Sequence, residues 1–379
     1  MKFKIENWTI NDLLSLLSKG KLDLNPPYQR NPIWTKQTQK QLIYSIKQGQ
    51  PIPNLFLLRN GPDTFEMVDG QQRTRALKLY QTTNELDFSK DDSEYKIGLF
   101  LLYEIPVTII TQIDEGEFIE EFYYMVNSSG NHLNRPEKLK AHYFDTTFLK
   151  LVEEITNGEF QKLNIIPINS QKRMMDRDLI EELCALILHG ITDKKNQVDK
   201  LYENDISSGE EKICRSKFSE VLNHLIRFDS IHSIRDTRYR QRNDFYTLFG
   251  FLKDNLSVES ETLDYFYKVL LQLEKGIRPN KSACRPLAEY AFNCVSQSNS
   301  SSARQVRLEI LNDLLLNLTV IPSTSQKDVI EYYPFDGEYL ITKGKYTIFN
   351  IDILQKGIDW IIRSKLTPSL RKKSGPVFQ

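Results

Sequence analysis

The sequence predicts an α+β fold, with a mixed domain over residues 1–150 followed by a mainly helical domain over residues 151–379. Two patterns of apolar residues predict this fold class, and the composition indicates a globular protein. In the first 150 residues, short apolar runs typical of strands alternate with stretches whose apolar residues recur at helical spacing. Beyond them the helical spacing predominates. The composition, 40% hydrophobic and 26% charged residues, is that of a globular protein able to bury a core.

The first domain shows strand and helix patterns in alternation. Pro26 and Pro27 forbid a helix over residues 22–30, which we expect to be extended. Two apolar runs separated by a turn sequence at residues 60–63 predict a hairpin. The predicted strands cover residues 52–59, 65–68 and part of 96–110, and the predicted helices cover residues 11–18, 37–47, 70–80, 114–126 and a segment from 135.

In the second domain the apolar residues mostly recur with the period of a helix. Polar stretches over residues 192–211 and 296–304 predict surface loops or frayed helix ends. A short hairpin is predicted within residues 329–350. The predicted helices cover residues 176–189, 212–228, 244–256, 262–275 and 351–364.

The net charge, the cysteines and the absence of long apolar segments exclude several classes of protein. Lys plus Arg number 50 and Asp plus Glu number 50, so any nucleic-acid contact has to come from a local patch. The four cysteines form no CxxC pair, which argues against a structural zinc site and against a disulfide framework. No segment resembles a signal peptide or is apolar enough to span a bilayer. We therefore expect a cytoplasmic protein without membrane contact.

The most informative segment reads Asp-Gly-Gln-Gln-Arg at positions 69–73, between a predicted strand and a predicted helix. Gly70 lets another group approach the backbone closely. Amides in the first turn of the helix, together with the helix dipole, favour an anion. The guanidinium group of Arg73 or Arg75 is suited to fork onto a phosphate. The segment therefore predicts a nucleotide site, and the identity of the NTP stays open.

Asp69 needs a cation beside a bound phosphate, because a carboxylate and a phosphate repel each other. Mg²⁺ held by one or two carboxylates and phosphate oxygens is the usual solution, so Asp69 is the predicted metal ligand. Gln71 or Gln72 is suited to orient an attacking water, by analogy with some GTPases. In the alternative interpretation Asp69 is a helix cap and Gly70 a turn residue. The residues assigned to catalysis are Asp69, Gln71, Gln72 and Arg73.

Two further segments carry side chains typical of ligand sites. In residues 25–34, Arg30 is a second candidate phosphate ligand, and Tyr28 or Trp34 is suited to stack on a base. A surface loop anchored by its aromatic residues explains that segment equally well. Residues 127–134 suit either a ligand-binding loop or an ordinary turn with a helix cap. The residues assigned to nucleotide contact are Tyr28, Gln29, Arg30, Gly70, Arg75, Asn127 and Asn131.

The order of these segments resembles a known family. The chain carries Tyr-Gln-Arg at 28–30, Pro-Ile-Pro at 51–53, Asp-Gly-Gln-Gln-Arg at 69–73 and an asparagine-rich loop at 127–134. This arrangement resembles the bacterial DGQQR-motif family of unknown function, a branch of the ParB/sulfiredoxin-like superfamily. Its members include the modification-dependent restriction enzyme GmrSD and the phosphorothioate-sensing defence protein SspE. The resemblance covers roughly the first 150 residues.

The resemblance implies a ParB-like fold, a DGQQR segment that binds a nucleotide and supports NTP hydrolysis, and a role in defence against phage or foreign DNA. By position it places residues 69–73 in the site, with Arg30 beside them. Larger members carry an HNH-type nuclease, and the later histidines here lack its His-x-x-Pro context: His189, His224 and His232. The chain therefore resembles a standalone member without an HNH domain. Any DNA cleavage would fall to the ParB-like part or to a partner nuclease.

Residues 235–242 form the strongest basic run in the chain, with Tyr239 between the arginines. Because Asp236 and Asp244 partly neutralise the run, a salt-bridged helix junction is an open alternative. The residues assigned to nucleic-acid binding are Arg235, Arg238, Arg240 and Arg242.

Three functions follow from these patterns. The first is a Mg²⁺-dependent NTPase that couples hydrolysis to sensing foreign or modified DNA. The second is a DNA-binding or regulatory ParB-like module without turnover. The third is a DNA-nicking nuclease, against which the zero net charge counts mildly. The oligomeric state is open, and a homo-oligomer is compatible with the sequence.

Overall fold

The computed structural model describes residues 1–26, 34–82, 97–115, 117–127, 134–193, 195–279 and 284–371. The protein is mixed α and β, with a sheet in its N-terminal part and mainly helices beyond it, which confirms the predicted fold class. The chain divides into two compact units. The first comprises Met1–Leu149 and Ile168–Asp176, and the second comprises Lys150–Pro167 and Arg177–Gln379.

The first unit is built on a five-stranded sheet. Its strands are β1 (Lys2–Thr9), β2 (Leu22–Asp23), β3 (Leu55–Gly61), β4 (Thr64–Asp69) and β5 (Glu104–Gln112). Its helices are α1 (Ile10–Ser18), α2 (Lys36–Lys47), α3 (Gln71–Thr82), α4 (Ile97–Leu101), α5 (Ile119–Asn127), α6 (Arg135–His142), the start of α7 (Thr147–Asn157), and α8 (Ile168–Gln171).

The strand order across this sheet is β1-β5-β3-β4-β2. β3 and β4 form an antiparallel hairpin, whereas β2 runs parallel to β4 and β5 runs parallel to β3. The carboxyl ends of β2 and β4 therefore lie at the same edge of the sheet as the amino end of β3. This edge carries the Asp-Gly-Gln-Gln-Arg motif, because β4 ends at Asp69.

Alternation along the strands gives the sheet two apolar faces. Leu57, Met67 and Ile109 belong to one buried cluster, which also contains residues of α1, α2 and α3. The neighbouring residues Val68 and Ile110 point to the opposite face, into a smaller cluster with residues of α5 and α6. Because successive side chains of a strand face opposite sides, both faces of β4 are covered and its end is held firmly.

The second unit is mainly helical, with one two-stranded antiparallel hairpin. The hairpin pairs β6 (Leu340–Lys343) with β7 (Tyr346–Phe349), as the sequence predicts. The helices are α9 (Met175–His189, from its third residue), α10 (Asn196–Asn204), α11 (Ser208–Ile231), α12 (Arg242–Asp254), α13 (Ser260–Leu273), α14 (Arg285–Val295), α15 (Ser301–Leu315), α16 (Thr324–Tyr332) and α17 (Ile351–Arg371). In the described part of the chain, no helix is long and apolar enough to cross a membrane.

Several expected elements differ in the structure. Strand β1 was not expected from the sequence, and the segment expected to be strand-rich over residues 96–110 begins with the helix α4. The stretch at 192–211, expected to be loop or frayed helix, contains the helix α10. The stretch at 296–304 contributes the start of α15, where Arg304 is buried. The sequence predicts a surface loop or a frayed helix end here, and the burial of Arg304 is allowed by its ion pair with Glu182, which no local pattern shows.

Candidate functional site

Gly70 makes the turn between β4 and α3. Its φ of +113° lies in a region that residues with a Cβ rarely adopt. A Cβ at this position would also overlap the Cδ2 atom of Leu55. The carbonyl of Gly70 accepts from the amide of Thr74 at 2.8 Å, so the helix begins directly after the turn. The glycine is therefore required both by the backbone conformation and by the close approach of β3.

Arg73 ties three chain segments together at this edge of the sheet. Its guanidinium donates to the carbonyls of Pro53 and Asn54, the latter at 3.1 Å, and to Asp69 Oδ2 at 2.5 Å. The side chain is only 10% exposed. Burial lowers the pKa of Arg73, whereas the Asp69 carboxylate acts in the opposite direction. The Arg73 guanidinium stays charged despite its burial. It therefore holds the start of β3 and the end of β4 against α3.

Asp69 is more exposed than its partner, with 29% of its side chain accessible. Within the described residues its hydrogen-bonding partner is Arg73, one helical turn further along the chain. One carboxylate oxygen is thus held, and the side chain keeps an accessible surface. An oriented carboxylate with an accessible edge is suited to bind a cation or to accept a proton.

The two glutamines of the motif bind the start of α3 to two segments of the chain, one at Leu24 and one at Trp34. Gln71 is buried and donates through Nε2 to the carbonyl of Leu24. The amide of Trp34 donates to Gln72 Oε1 at 3.3 Å, and Gln72 Nε2 donates to Gln71 Oε1 at the same distance. The amide groups therefore anchor two neighbouring segments to the start of α3. Whether either glutamine orients a water stays a prediction.

Arg75 lies in the second turn of α3 and carries a positive charge that no carboxylate in the described part of the chain balances. Its Nη2 donates to Asn25 Oδ1 at 2.5 Å, just beyond the end of β2. Its Nε is buried and has no hydrogen-bond partner among the described residues. Arg75 is thus less committed to the fold than Arg73, and of the two it is the better candidate to bind an anion.

The structure gathers six of the predicted site residues at this one junction: Asp69, Gly70, Gln71, Gln72, Arg73 and Arg75. Other predicted contacts cannot be placed, because Tyr28, Gln29, Arg30 and Asn131 lie outside the described residues. Asn127 is the last residue of α5. Over the described ranges, no group of three or more His, Cys, Asp and Glu side chains is arranged to hold a metal ion. The assignment of Asp69 as a metal ligand stays a prediction.

The third predicted segment ends in a well-anchored helix cap. Asn134 caps α6 in a reciprocal arrangement with Glu137, and its Nδ2 donates to the carbonyl of Arg173 at 2.7 Å. Arg173 also pairs with the buried Glu137 at 3.1 Å. This agrees with the helix-cap interpretation of Asn134. The part played by Arg173 was missed, because it follows Glu137 by 36 positions in the sequence and no local pattern links them.

The basic run at 235–242 is split between surface and interior. Arg235 and Arg240 are exposed. Arg238 forks onto the fully buried Asp244, with Nε to Oδ1 at 2.9 Å and Nη2 to Oδ2 at 3.2 Å. Tyr239 is completely buried, so its ring is not available to stack on a base. For Arg238 the salt-bridged junction describes the structure, whereas nucleic-acid binding by the exposed pair stays a prediction.

Arg242 belongs to a largely buried ionic cluster in the second unit. Its Nη2 lies 2.7 Å from Asp178 Oδ2 and 3.1 Å from Glu182 Oε1. The buried Arg304 donates to the other oxygen of Glu182 at 2.8 Å, and Lys195 also pairs with Asp178. Burial of these charges is tolerated because each is paired. Arg242 therefore has a structural role, joining the start of α12 to α9.

Residues 10–99 match a protein-family model described as the N-terminal domain of the GmrSD restriction endonuclease. The matched segment contains the whole Asp-Gly-Gln-Gln-Arg motif and its partners from Leu24 to Asn54. This part of the chain is therefore related to the N-terminal domain of GmrSD, which confirms that element of the resemblance. The wider relation to SspE and to the ParB/sulfiredoxin-like superfamily stays a prediction. No curated protein and no solved structure matches the chain.

Proposed function

We propose that this chain is a restriction-related defence protein whose first unit binds a nucleoside triphosphate at the β4–α3 junction and hydrolyses it. The observation that carries the proposal is the match at residues 10–99 to the N-terminal domain of a restriction endonuclease. That segment encloses the β4–α3 junction, with Asp69 at the end of β4, Gly70 in the turn and Arg75 in the second turn of α3. DNA is the second proposed partner, because restriction acts on foreign DNA.

The charges at the junction suit a phosphate-bearing ligand. The positive end of the α3 dipole lies at residues 71–73, directly after the turn at Gly70. The guanidinium of Arg75 adds a full positive charge without a carboxylate partner in the described ranges. We assign phosphate binding to Arg75 and to the first-turn amides. We assign Arg73 to positioning, because its donors already hold Asp69 and the carbonyls before β3.

Asp69 fits the ligand role for Mg²⁺, because Arg73 orients the carboxylate while part of it stays accessible. Mg²⁺ bound there would offset the repulsion between Asp69 and the phosphates and neutralise charge on them. Of the two glutamines, Gln72 is the less buried and therefore the better placed to contact a water. Gln71 keeps the backbone after β2 in position through its bond to Leu24.

The test is phosphate release by the wild-type protein from ATP, GTP, CTP and UTP, each with Mg²⁺ and with EDTA, in the presence and absence of DNA. We expect release from at least one NTP, and we expect EDTA to abolish it. A rate that rises with DNA would support the defence role. Calorimetric binding without release would show a regulatory module instead, and neither binding nor release would overturn the nucleotide site.

A further inference from the structure

Strand β1 is an edge strand with an exposed apolar side. It pairs with β5 on one side, and no described residue pairs with its outer side. Phe3 and Ile5 are 63% and 67% exposed. They lie two residues apart and therefore on the same face of the sheet. An unpaired edge that exposes apolar side chains is a template for another strand.

The ladder with β5 shows which backbone groups of β1 face outward. The amide of Ile10 donates to the carbonyl of Tyr103 at 3.0 Å, and the same register places Asn7 opposite Pro106. Hydrogen-bonded and non-bonded pairs alternate in an antiparallel ladder, so the even-numbered residues of β1 bond to β5. Pro106 agrees with this assignment, since it has no amide to give. The residues whose amides and carbonyls face outward are Phe3, Ile5 and Asn7.

We propose that β1 pairs antiparallel with β1 of a second copy of this chain, so that the two five-stranded sheets continue into one another. The two-fold axis lies at Ile5, which faces Ile5 of the second copy as a hydrogen-bonded pair. Phe3 then forms such a pair with Asn7 of the other copy, twice. All the outward backbone groups of Phe3, Ile5 and Asn7 are used in this arrangement.

Charge selects this register over its neighbours. With the axis at Ile5, Lys4 lies opposite Glu6 of the second copy, and the symmetric pair repeats the contact. An axis at Lys4 would also pair Glu6 with Lys2 of the second copy, but it would place two lysines opposite each other. An axis at Glu6 would place two glutamates opposite each other. Opposite charges across a strand pair stabilise it, whereas like charges destabilise it. The sequence of β1 is thus complementary to itself in one antiparallel register.

Burial of apolar surface adds to the same arrangement. Ile5 packs against Ile5 of the second copy, and each Phe3 lies diagonally beside the other chain's Ile5. These side chains extend the apolar face that already contains Ile110, the residue opposite Phe3 in the β1–β5 register. Lys4 and Glu6 contact each other within the single chain through Glu6 Oε1, while Trp8 Nε1 donates to Glu6 Oε2 at 2.8 Å. The side chains of Lys4 and Glu6 are 42% and 36% exposed. They are therefore available to exchange that contact for pairing between copies.

The test is sedimentation velocity of the full chain over a range of concentrations. We expect wild type to dimerise. We expect Lys4→Glu and Glu6→Lys each to weaken dimerisation by about tenfold, because both symmetric pairs become repulsive. The double variant, in which the charges are exchanged, should dimerise like wild type. Lys19→Glu is the matched control, since Lys19 is exposed outside β1 and should leave the dimer unchanged.

A second measurement reports the position of the axis. Cα atoms of a hydrogen-bonded pair lie about 5.5 Å apart, within the range that a disulfide spans. Ile5→Cys should therefore form a disulfide-linked dimer on mild oxidation, whereas Leu99→Cys, an exposed position on α4, should not. A wild-type chain that stays monomeric at all concentrations, single-charge variants that dimerise like wild type, or equal cross-linking of both cysteine variants would overturn the proposal.

Discussion

Arg73 Nη2 lies 2.5 Å from the Oδ2 atom of Asp69, and this bond joins the last residue of β4 to the first turn of α3. The same guanidinium holds the two carbonyls that precede β3. A single side chain therefore determines where the accessible carboxylate of Asp69 lies. The motif has a structural part, carried by Arg73, and a proposed chemical part, carried by Asp69.

Replacing Asp69 by alanine should lower the free energy of unfolding by about 2 kcal/mol, because a largely buried guanidinium loses its counter-ion. Asp69→Asn should cost less, since an amide oxygen still accepts from Arg73. Urea unfolding measures both. Glu211→Ala is the matched control, because Glu211 forms a more exposed pair with Arg215 at the same i,i+4 spacing. The control should cost no more than about 0.5 kcal/mol, and equal losses at the two sites would contradict the structural role.

Gly70→Ala should destabilise the protein more than Gly49→Ala does. Both glycines have positive φ, at +113° and +68°, so both substitutions strain the backbone. Only at Gly70 would the new methyl group overlap Leu55, whereas the space around Gly49 is open. We expect a loss above about 2 kcal/mol at Gly70 and about 1 kcal/mol at Gly49. Thermal unfolding of the two variants measures the difference, and equal losses would show that the overlap with Leu55 is relieved freely.

Gln71→Glu tests the anchoring role of the buried amide. A carboxylate at this position would lose the Nε2 donor and face the carbonyl of Leu24 instead. Burying an unpaired acceptor next to another acceptor should cost about 2 kcal/mol. Gln81→Glu, on the exposed side of the same helix, should change stability by less than about 0.5 kcal/mol. If chemical denaturation finds the two variants alike, the bond to Leu24 does not hold that segment.

Glu182→Gln probes the buried ionic cluster of the second unit. The change removes a negative charge that Arg304 and Arg242 share, and Arg304 is almost completely buried. We expect a loss of about 3 kcal/mol, because the buried guanidinium of Arg304 loses its counter-ion, whereas Arg242 keeps its pair with Asp178. Glu159→Gln removes one partner of an exposed pair with Lys162 and should be nearly neutral. Differential scanning calorimetry would decide between a structural cluster and a dispensable one.

Local patterns in the sequence predicted the elements that position the site. The hairpin of β3 and β4 and the helix after Gly70 follow from apolar periodicity and turn residues, and the motif lies where the strand gives way to the helix. The sequence did not predict the edge strand β1, because only Phe3 and Ile5 supply its apolar alternation and charged residues lie between them. A short, polar edge strand resembles a loop until its pairing with β5 is known.

Local patterns in the sequence could not predict contacts between residues that are far apart in the chain. The sequence suggests a phosphate as the partner of Arg73, because an arginine at a helix start is suited to that role. In the structure its guanidinium donates to Asp69 and to carbonyls 19 and 20 positions earlier. Arg304 was placed in a polar surface stretch, although it pairs with Glu182 across 122 positions. In both cases tertiary packing supplies the partner that makes burial of the charge favourable.

The most direct test of the central claim compares phosphate release from the preferred NTP by wild type and Asp69→Asn, with folding verified by urea unfolding. We predict that Asp69→Asn keeps its fold and loses activity by about 100-fold, because the oriented carboxylate is gone. Glu211→Ala should keep the wild-type rate. A folded Asp69→Asn protein that hydrolyses the NTP at the wild-type rate would contradict the account.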